Sequence, residues 1–469
     1  MINLDYVKDF IKSTREVISK VGGEVYLVGG YIRDRLISIT AQPKDIDFIF
    51  NGNIEKFMEE LENRQYKFFP IKQEIGIYRC MLGNNSIDIS LMEGDSIEED
   101  LKKRDFTMNA IAIKLSGDKV KVIDPFYGRR SIDNRIIKSV TDMSLENDPI
   151  RILRGIRFCI SYGMHFNLDT EKCIEKLCYK IMDMPMERVF KEFMLILERD
   201  DYGKAFEVLD NYGILKNIIP YIEELKTIGK CAYHIEDVFT HMNLTYCVFK
   251  NILNGKVSVK GLNLHVFQDK IGDFKLREYM SLACFLHDIG KYEAYRKDGD
   301  KVSFWGHEMK GAAIARNFCR NMKFPKKAES YIENIVEGHM YPLKIFKQNS
   351  KDKKNDFYKF FSKYDGYIIE ILTAAYCDNY ATRMLLDVEN EKVRFKMFIE
   401  DMLKEYELYC SINENKILNG NDVIQILNIS GPEVKNALED VIRLRYLGKI
   451  QTREEALNYL RVKINNNYI

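Results

Sequence analysis

Two glycines that interrupt an apolar run, and two aspartates a short distance on, carry the most chemistry in this sequence. Val25 to Val28 reads as a strand that breaks at Gly29-Gly30, after which Tyr31-Ile32-Arg33-Asp34 starts a helix. Glycine lets the backbone approach a ligand closely, and a helix N-terminus presents free N–H groups to a phosphate. Asp45 and Asp47 then stand two apart, with Lys44 before them, in a second strand-like run that continues through Phe48, Ile49 and Phe50. Alternation along a strand sets both carboxylates on one face, roughly 7 Å apart at the backbone. That is room to share hard divalent cations such as Mg²⁺. Taken singly, a Gly-Gly turn or an Asp-x-Asp strand end is more often structural. Their order and separation point to metal-assisted chemistry on a nucleoside triphosphate.

Asp88, in the alternating run Ser86-Ile87-Asp88-Ile89-Ser90, offers a third carboxylate to serve as base for an attacking hydroxyl. The structural alternative is an ordinary exposed strand residue. Further on, Asn147-Asp148-Pro149-Ile150 predicts a helix N-terminus, with Asp148 as cap and Pro149 in the first position. Arg151, Arg154 and Arg157 recur every three residues and so lie along one side of that helix, either as a basic stripe paired with carboxylates or as ligand contacts. A second cluster is rich in histidine. His234, His241, His287, His307 and His339 all fall between residues 234 and 339, with Asp237 before His241, Asp288 directly after His287, and Asp378 further on.

These residues need elements to position them, and 469 residues suffice for three or more domains with their own cores. The formal charge of +1 excludes a global field that draws the chain to nucleic acid, so any RNA contact uses local basic patches. Ten cysteines without a paired CxxC pattern, and no secretory signal at Met1–Asp5, read as reduced thiols of a cytoplasmic protein. No apolar run approaches the roughly 20 residues that span a bilayer, so no membrane partner is expected. Residues up to about 140 mix strand-like and helical runs. After that, helical periodicity dominates at Ile150 to Phe158, Ile181 to Leu197, Glu236 to Ile252 and Glu278 to Leu286. Breaks fall near Asp142–Asn147, Lys226–Lys230 and Asn349–Lys354. The architecture expected is α+β, a mixed-sheet head followed by a helical body. The Lys, Phe and Tyr of Lys344 to Lys363 read as a solvated helix face over buried aromatics rather than as an RNA-facing patch.

The pairing of Gly29-Gly30 with Asp45 and Asp47 resembles the opening signature of the DNA polymerase β-like nucleotidyltransferases, in the branch of class II tRNA nucleotidyltransferases and bacterial poly(A) polymerases. Lys103-Arg104-Asp105-Phe106-Thr107-Met108-Asn109 is similar to that family's Arg-Arg-Asp-Phe-Thr-x-Asn motif, with Lys103 in place of the first arginine. Asp124-Pro125-Phe126-Tyr127-Gly128 resembles its next block, although Ser131 stands where an aspartate is usual. Asn147-Asp148-Pro149-Ile150-Arg151 resembles Glu-Asp-x-x-Arg, with Asn147 for the glutamate, and Met186 to Glu192 resembles the neck helix. The resemblance implies that Gly29, Gly30, Arg33, Arg104, Asp105, Asn109, Asp148, Arg151, Arg154 and Arg157 bind nucleotide. Arg104 would contact the triphosphate, Asp105 the ribose, and Asp148 with Arg151 the base. An aspartate accepts from the amino group of cytosine or adenine. Facing the carbonyl of uracil or guanine it is left unpaired, at a cost of about 1–3 kcal/mol or more.

The histidine region is similar to an HD domain, which implies His241, His287, Asp288 and Asp378 as metal ligands, with His307 and His339 available for a second ion. Imidazole and carboxylate without thiolate suit Mn²⁺, Ni²⁺, Co²⁺, Fe²⁺ or Mg²⁺ better than structural zinc. Asn419 to Ile424, Ile429 to Val434, and Gly448-Lys449-Ile450 before Thr452 resemble the family's C-terminal domain, with helix caps expected at Asn421 and Thr452. The implied organisation is a polymerase β-like nucleotidyltransferase head over 1–140, a helical neck over 141–225, an HD domain over 226–385 and a tRNA-binding body over 386–469. The implied activity is addition of C and A to tRNA 3′ ends from CTP and ATP, with Mg²⁺ at Asp45 and Asp47. Two alternatives accompany it: CC-only addition, because the link after the Asp88 strand is short, and phosphohydrolase or 2′,3′-cyclic phosphodiesterase activity at the HD site.

Overall fold

The computed structural model describes residues 8–38, 45–72, 76–83, 85–116, 121–228, 236–299, 301–348, 350 and 352–467, the last four as backbone. Lys44, His234 and the Met1–Asp5 segment lie outside the described residues. The chain divides into two compact units, one of residues 1–199 with 208–218, the other of 200–207 with 219–469.

The first unit is built on a seven-stranded sheet. In chain order its strands are β1 Glu24–Val28, β2 Asp45–Asn51, β3 Phe68–Lys72, β4 Ile77–Leu82, β5 Asn85–Leu91, β6 Ala112–Lys114 and β7 Lys121–Ile123. They lie in the order β3-β4-β5-β2-β1-β6-β7. Only β2 and β5 run parallel, and the other pairings are antiparallel. β2 is central because Ile46, Phe48, Ile49 and Phe50 are all buried, and Phe50 stacks on Phe57 with ring centroids 4.1 Å apart. Its register sets Asp47 beside Val28 of β1 on one side and Asp88 of β5 on the other. The expectation of two carboxylates on one strand and a third on another strand is therefore met by direct neighbours.

The helices Ile150–Tyr162 and Met186–Arg199 follow in the same unit. The first runs to Tyr162 and stops at Gly163, whose φ of 61° is the left-handed conformation that glycine adopts at helix ends. The expected single helix from Ile181 to Leu197 is instead two elements. A 3₁₀ turn, Cys178–Asp183, ends at Met184, which is extended because Pro185 follows it, and the α-helix starts at Met186.

The second unit is helical. Val238–Leu253, Leu276–Leu286, His307–Asn321, Lys326–Gly338 and Ile368–Leu385 bury most of the core residues there. Val238 begins the first of these, two residues later than the periodicity expected, because the Asp237 side chain accepts the Thr240 N–H at 2.8 Å and caps it. In Lys353–Lys363, Phe357, Phe360 and Phe361 are buried while Lys353, Lys359 and Lys363 face water, the solvated face expected. Three short helices close the chain around Val423, Val441, Ala456 and Leu460. The expected cap at Asn421 is found at Asn419, whose side chain accepts from the Asp422 N–H at 3.0 Å while Asp422 accepts from the Asn419 N–H at 2.9 Å. This reciprocal pair satisfies two otherwise orphaned donors, so the helix starts at Gly420. Thr452 caps as expected, accepting from the Glu455 N–H. Among the described residues no helix is long and apolar enough to cross a membrane.

Candidate functional site

Gly29 follows β1 with φ at 77°, and a Cβ there would lie 2.9 Å from Asp47 Oδ2 and 3.2 Å from an Arg104 guanidinium nitrogen. The missing side chain is what lets a carboxylate, a guanidinium and backbone N–H groups meet at one point. All ten residues expected to contact nucleotide line a single cavity of about 530 Å³, together with Asp47, Lys103, Phe158 and Arg188.

Hydrogen bonds tie this wall together. Arg33 donates to Asn109 Oδ1 at 2.8 Å, and Asn109 Nδ2 donates to Asp105 Oδ1 at 2.8 Å. Arg154 meets Asp105 Oδ2 at 2.9 Å and reaches Glu192 at 3.6 Å, and Arg157 Nε donates to Glu192 at 2.9 Å. Burial opposes the charge on Asp105, but Arg154 and the donors Asn109 and Phe106 outweigh it and hold the carboxyl below its ordinary value. Arg151 donates to the carbonyls of Lys103 and Arg104 and to Ser144 Oγ, at 2.8, 3.2 and 2.8 Å. Arg154 and Arg157 are thus paired with carboxylates and Arg151 with carbonyls and a hydroxyl, and all three line the cavity.

Asp148 does not cap the following helix as expected. Its backbone carbonyl accepts the Arg151 N–H, while its side chain turns to Arg188 at 2.8 Å, because a guanidinium is a stronger partner than a backbone amide. Among the described residues the other oxygen, Oδ1, is buried without a partner, an acceptor available at the cavity wall. Arg188 and Glu192 had no assigned role in the sequence. Their signal was a spacing of four on the Met186–Arg199 helix, which puts both on one face.

The three carboxylates differ in their company. Asp45 accepts from Ser86 Oγ at 2.6 Å, and Asp88 is gripped by both arms of Arg79, at 2.7 and 2.6 Å. Asp47 faces the cavity, and burial, with Asp88 and Asp45 adding repulsion against Arg104, raises its pKa. A buried carboxylate in a negative field, with further hard oxygen donors beside it, fits Mg²⁺. Arg79 was not foreseen. It stands opposite Asp88 in the β4–β5 hairpin, a pairing that the register makes and the sequence motifs do not signal.

In the second unit the histidine cluster converges as expected. His241 Nε2 lies 2.9 Å from Asp378 Oδ1, and His287 Nε2 lies 3.2 Å from Asp288 Oδ2. His307 Nε2 stands 3.1 Å from Asp288 Oδ1, with His339 at 3.9 Å. The ligand atoms of His241, His287 and Asp378 fall within 4.8 Å of one another, as do those of His287, Asp288 and His339. Three rings donate Nδ1–H to the carbonyl three residues earlier: His287 to Cys284, His307 to Phe304 and His339 to Val336, at 2.8, 2.9 and 2.7 Å. A carbonyl only accepts, so Nδ1 carries a proton in each ring and Nε2 is the nitrogen that faces the centre. Burial pushes His287 down, yet Asp288 and Asp378 override it and hold it up to about 10, while burial and its imidazole neighbours push His339 down to about 3. The centre carries a demand for positive charge that protons meet unevenly, and a divalent cation suits this donor set. Lys291, 2.5 Å from Asp288 Oδ2, is a further partner that sequence reasoning did not single out.

Comparison with known families matches residues 25–93 and 90–138 to the poly A polymerase head domain, 163–226 to the probable RNA and SrmB-binding site of polymerase A, and 262–382 to the HD domain. Asp148 and the arginine stripe fall between the first two matches, and His241 precedes the third. An A-adding tRNA nucleotidyltransferase of Deinococcus radiodurans is 25% identical over 83% of this chain and 84% of its own. A CC-adding enzyme of Thermus thermophilus is 25% identical over 93% of each. A CC-adding enzyme of Halalkalibacterium halodurans is 33% identical over 44% of this chain and 54% of its own. In fold, the chain is similar to a CCA-adding enzyme solved with ATP, at a TM-score of 0.69 and 20% identity over 99% of this chain and 95% of that one. It is also similar to the Thermotoga maritima CCA-adding enzyme complexed with tRNA, at 0.66 and 20% over 99% and 97%. From its head, RNA-binding and HD regions together, the chain belongs to the poly(A) polymerase and tRNA nucleotidyltransferase family, in the branch that carries an HD domain.

Proposed function

We propose that the chain adds C and A to the 3′ end of tRNA from CTP and ATP, without a nucleic-acid template and with Mg²⁺. The observation that carries this reading is one cavity in which Gly29-Gly30, the buried Asp47 and the half-paired Asp148 share a wall with Arg33, Arg104, Arg151 and Arg154. Arg104 and Arg33 hold the triphosphate, Asp105 the ribose, and Asp148 Oδ1 with Arg151 the base edge. The terminal hydroxyl attacks the α-phosphorus, and the bond to the bridging oxygen breaks to release pyrophosphate. Asp45 and Asp47 would hold Mg²⁺, which would supply charge stabilisation at the phosphate and the leaving group. Asp88 takes the hydroxyl proton once Arg79 releases it. Relatives named as CC-adding, A-adding and CCA-adding, and similar folds solved with ATP, CTP and tRNA, support the substrate class. On this reading residues 1–140 do the chemistry, 141–225 hold base and RNA, 226–385 form the HD domain and 386–469 bind tRNA, and the setting is the cytoplasm. Labelled CTP and ATP should be incorporated by the native protein and not by the Asp45→Ala/Asp47→Ala double variant. Full incorporation by that variant would overturn the assignment.

CC-only addition is favoured by the link between β5 and the helix Ile97–Lys102, which is only Met92 to Ser96. A tRNA ending in CC that accepts no ATP would establish it. The pre-aimed imidazoles favour a second activity in the other unit, hydrolysis of a phosphate ester. A bound metal would supply an acidic water there. With His241, His287, Asp288 and Asp378 holding that metal, the water oxygen would bond to phosphorus as the ester P–O bond breaks and the alcohol takes the proton.

A further inference from the structure

Trp305 is the only tryptophan in the chain, and it is 88% exposed. So large an apolar ring in water calls for an explanation when it borders a built site. Trp305 sits two residues before His307, and the turn at Gly306, with φ at 73°, starts the helix that carries that histidine. Both residues line a cavity of about 440 Å³ that also contains Asp288 and Asp378. That volume is within the range of small-ligand sites, roughly 300–1,000 Å³. Val302, Phe304, Met340 and Leu343 make much of its remaining wall apolar, and Lys344, paired with Glu308 at 2.6 Å, brings a cation to it. A site for bare phosphate needs the metal ligands and the cation; it has no use for an apolar wall and a flat exposed ring.

We propose that this cavity is a nucleotide subsite in which a base stacks on Trp305 while its phosphoryl group reaches the Asp288, His307 and Asp378 end. The proposal rests on the second reading above, hydrolysis at the histidine centre, and adds the residue that selects base-bearing esters there. Stacking tolerates any base, since each presents a π-face, so Trp305 distinguishes a nucleotide from a sugar phosphate rather than one base from another. The same chemistry is offered by a free mononucleotide and by the last nucleotide of an RNA strand.

With a single tryptophan, intrinsic tryptophan fluorescence of the full-length protein reports on this cavity alone. The native protein loaded with Mn²⁺, and separately with Mg²⁺, is titrated with AMP, ribose 5-phosphate, inorganic phosphate and a short oligoribonucleotide bearing a 3′-phosphate. Saturable quenching by AMP, at concentrations about tenfold below any effect of ribose 5-phosphate, is expected from a stacked base. Tighter quenching by the oligoribonucleotide assigns the site to RNA ends, and quenching by AMP alone assigns it to free nucleotides. In phosphate-release assays, Trp305→Ala should lower the preference for AMP over ribose 5-phosphate about tenfold. No quenching by AMP, or equal effects of AMP and ribose 5-phosphate, overturns the subsite. Quenching by AMP with no phosphate released from any ester leaves the subsite standing and removes the hydrolytic reading instead.

Discussion

In the nucleotide cavity, carboxylates meet guanidinium groups from the same chain: Asp105 is held by Arg154, and Asp148 by Arg188. In the histidine centre, Asp288 and Asp378 meet imidazoles and one lysine. The first arrangement carries fixed positive charge, with seven Arg or Lys side chains around the cavity against three Asp. It is ready for a polyanion such as a triphosphate, because guanidinium stays charged at any working pH. The second carries positive charge only where a proton or a metal provides it, as the opposed shifts of His287 and His339 show. On the proposed reading, a cation would supply the positive charge that an anionic substrate needs there. The difference separates a site whose positive charge comes from its own side chains from one whose donor set calls for an added cation.

The strongest way to break the comparison is to exchange the losses. Asp47→Asn should reduce nucleotide addition by at least about a hundredfold, while Asp288→Asn should leave addition within about twofold, as expected of independent sites. Labelled-nucleotide incorporation by both variants measures this, and loss of addition in Asp288→Asn would merge the two sites into one function. Next in size is base choice. Asp148→Asn should narrow the preference for CTP over UTP by about tenfold to a hundredfold, since an amide offers a donor to the uracil carbonyl. Unchanged selectivity would remove Asp148 from base recognition.

A smaller effect sharpens the other side. Saturating Mn²⁺ should raise the melting temperature of the native protein by several degrees, because an ion that binds only the folded state stabilises it. Asp288→Asn should lose that gain, and an equal gain in both would place the ion elsewhere. The smallest effect concerns Glu370, on the helix that also carries Asp378. Burial pushes its carboxyl up to about 7, and among the described residues no fixed cation offsets this as Arg154 does for Asp105. The folded state thus holds a proton that the unfolded state has released above about 4.5. Stability then falls as pH rises from about 4.5 to about 7 and levels off above that. Glu370→Gln should abolish this slope and raise the melting temperature at pH 8 by a few degrees. Melting curves across that range test it, and an unchanged slope would assign the proton to another group.

The cavity was legible in the sequence because its residues arrive in short clusters. Gly29 to Arg33, Arg104 to Asn109 and Asp148 to Arg157 each bring several of them on one turn or helix face. The histidine centre is gathered from far apart in the chain: only His287 and Asp288 are adjacent, and His241 and Asp378 are 137 residues apart. There the residue types and the HD resemblance carried the reading, since no local period did. What stayed hidden were partners that act by tertiary pairing. Arg79 is set opposite Asp88 by strand register, and Glu192 reaches Arg157 from 35 residues away. The Asp148 cap failed for the same reason, since a local propensity yielded to Arg188, a charged partner 40 residues on. Pro185 was visible in the sequence and should have divided the Ile181 to Leu197 helix.

The most direct test of the central claim is the product length on three tRNA transcripts, ending at the discriminator base, at C and at CC, each supplied with Mg²⁺ and labelled CTP or ATP. The account predicts extension of all three to CCA, with no incorporation of UTP or GTP, and a stop at CC would transfer the assignment to the CC-only alternative. No nucleotide added to any transcript would contradict the claim that the arginine-lined cavity transfers nucleotides to tRNA.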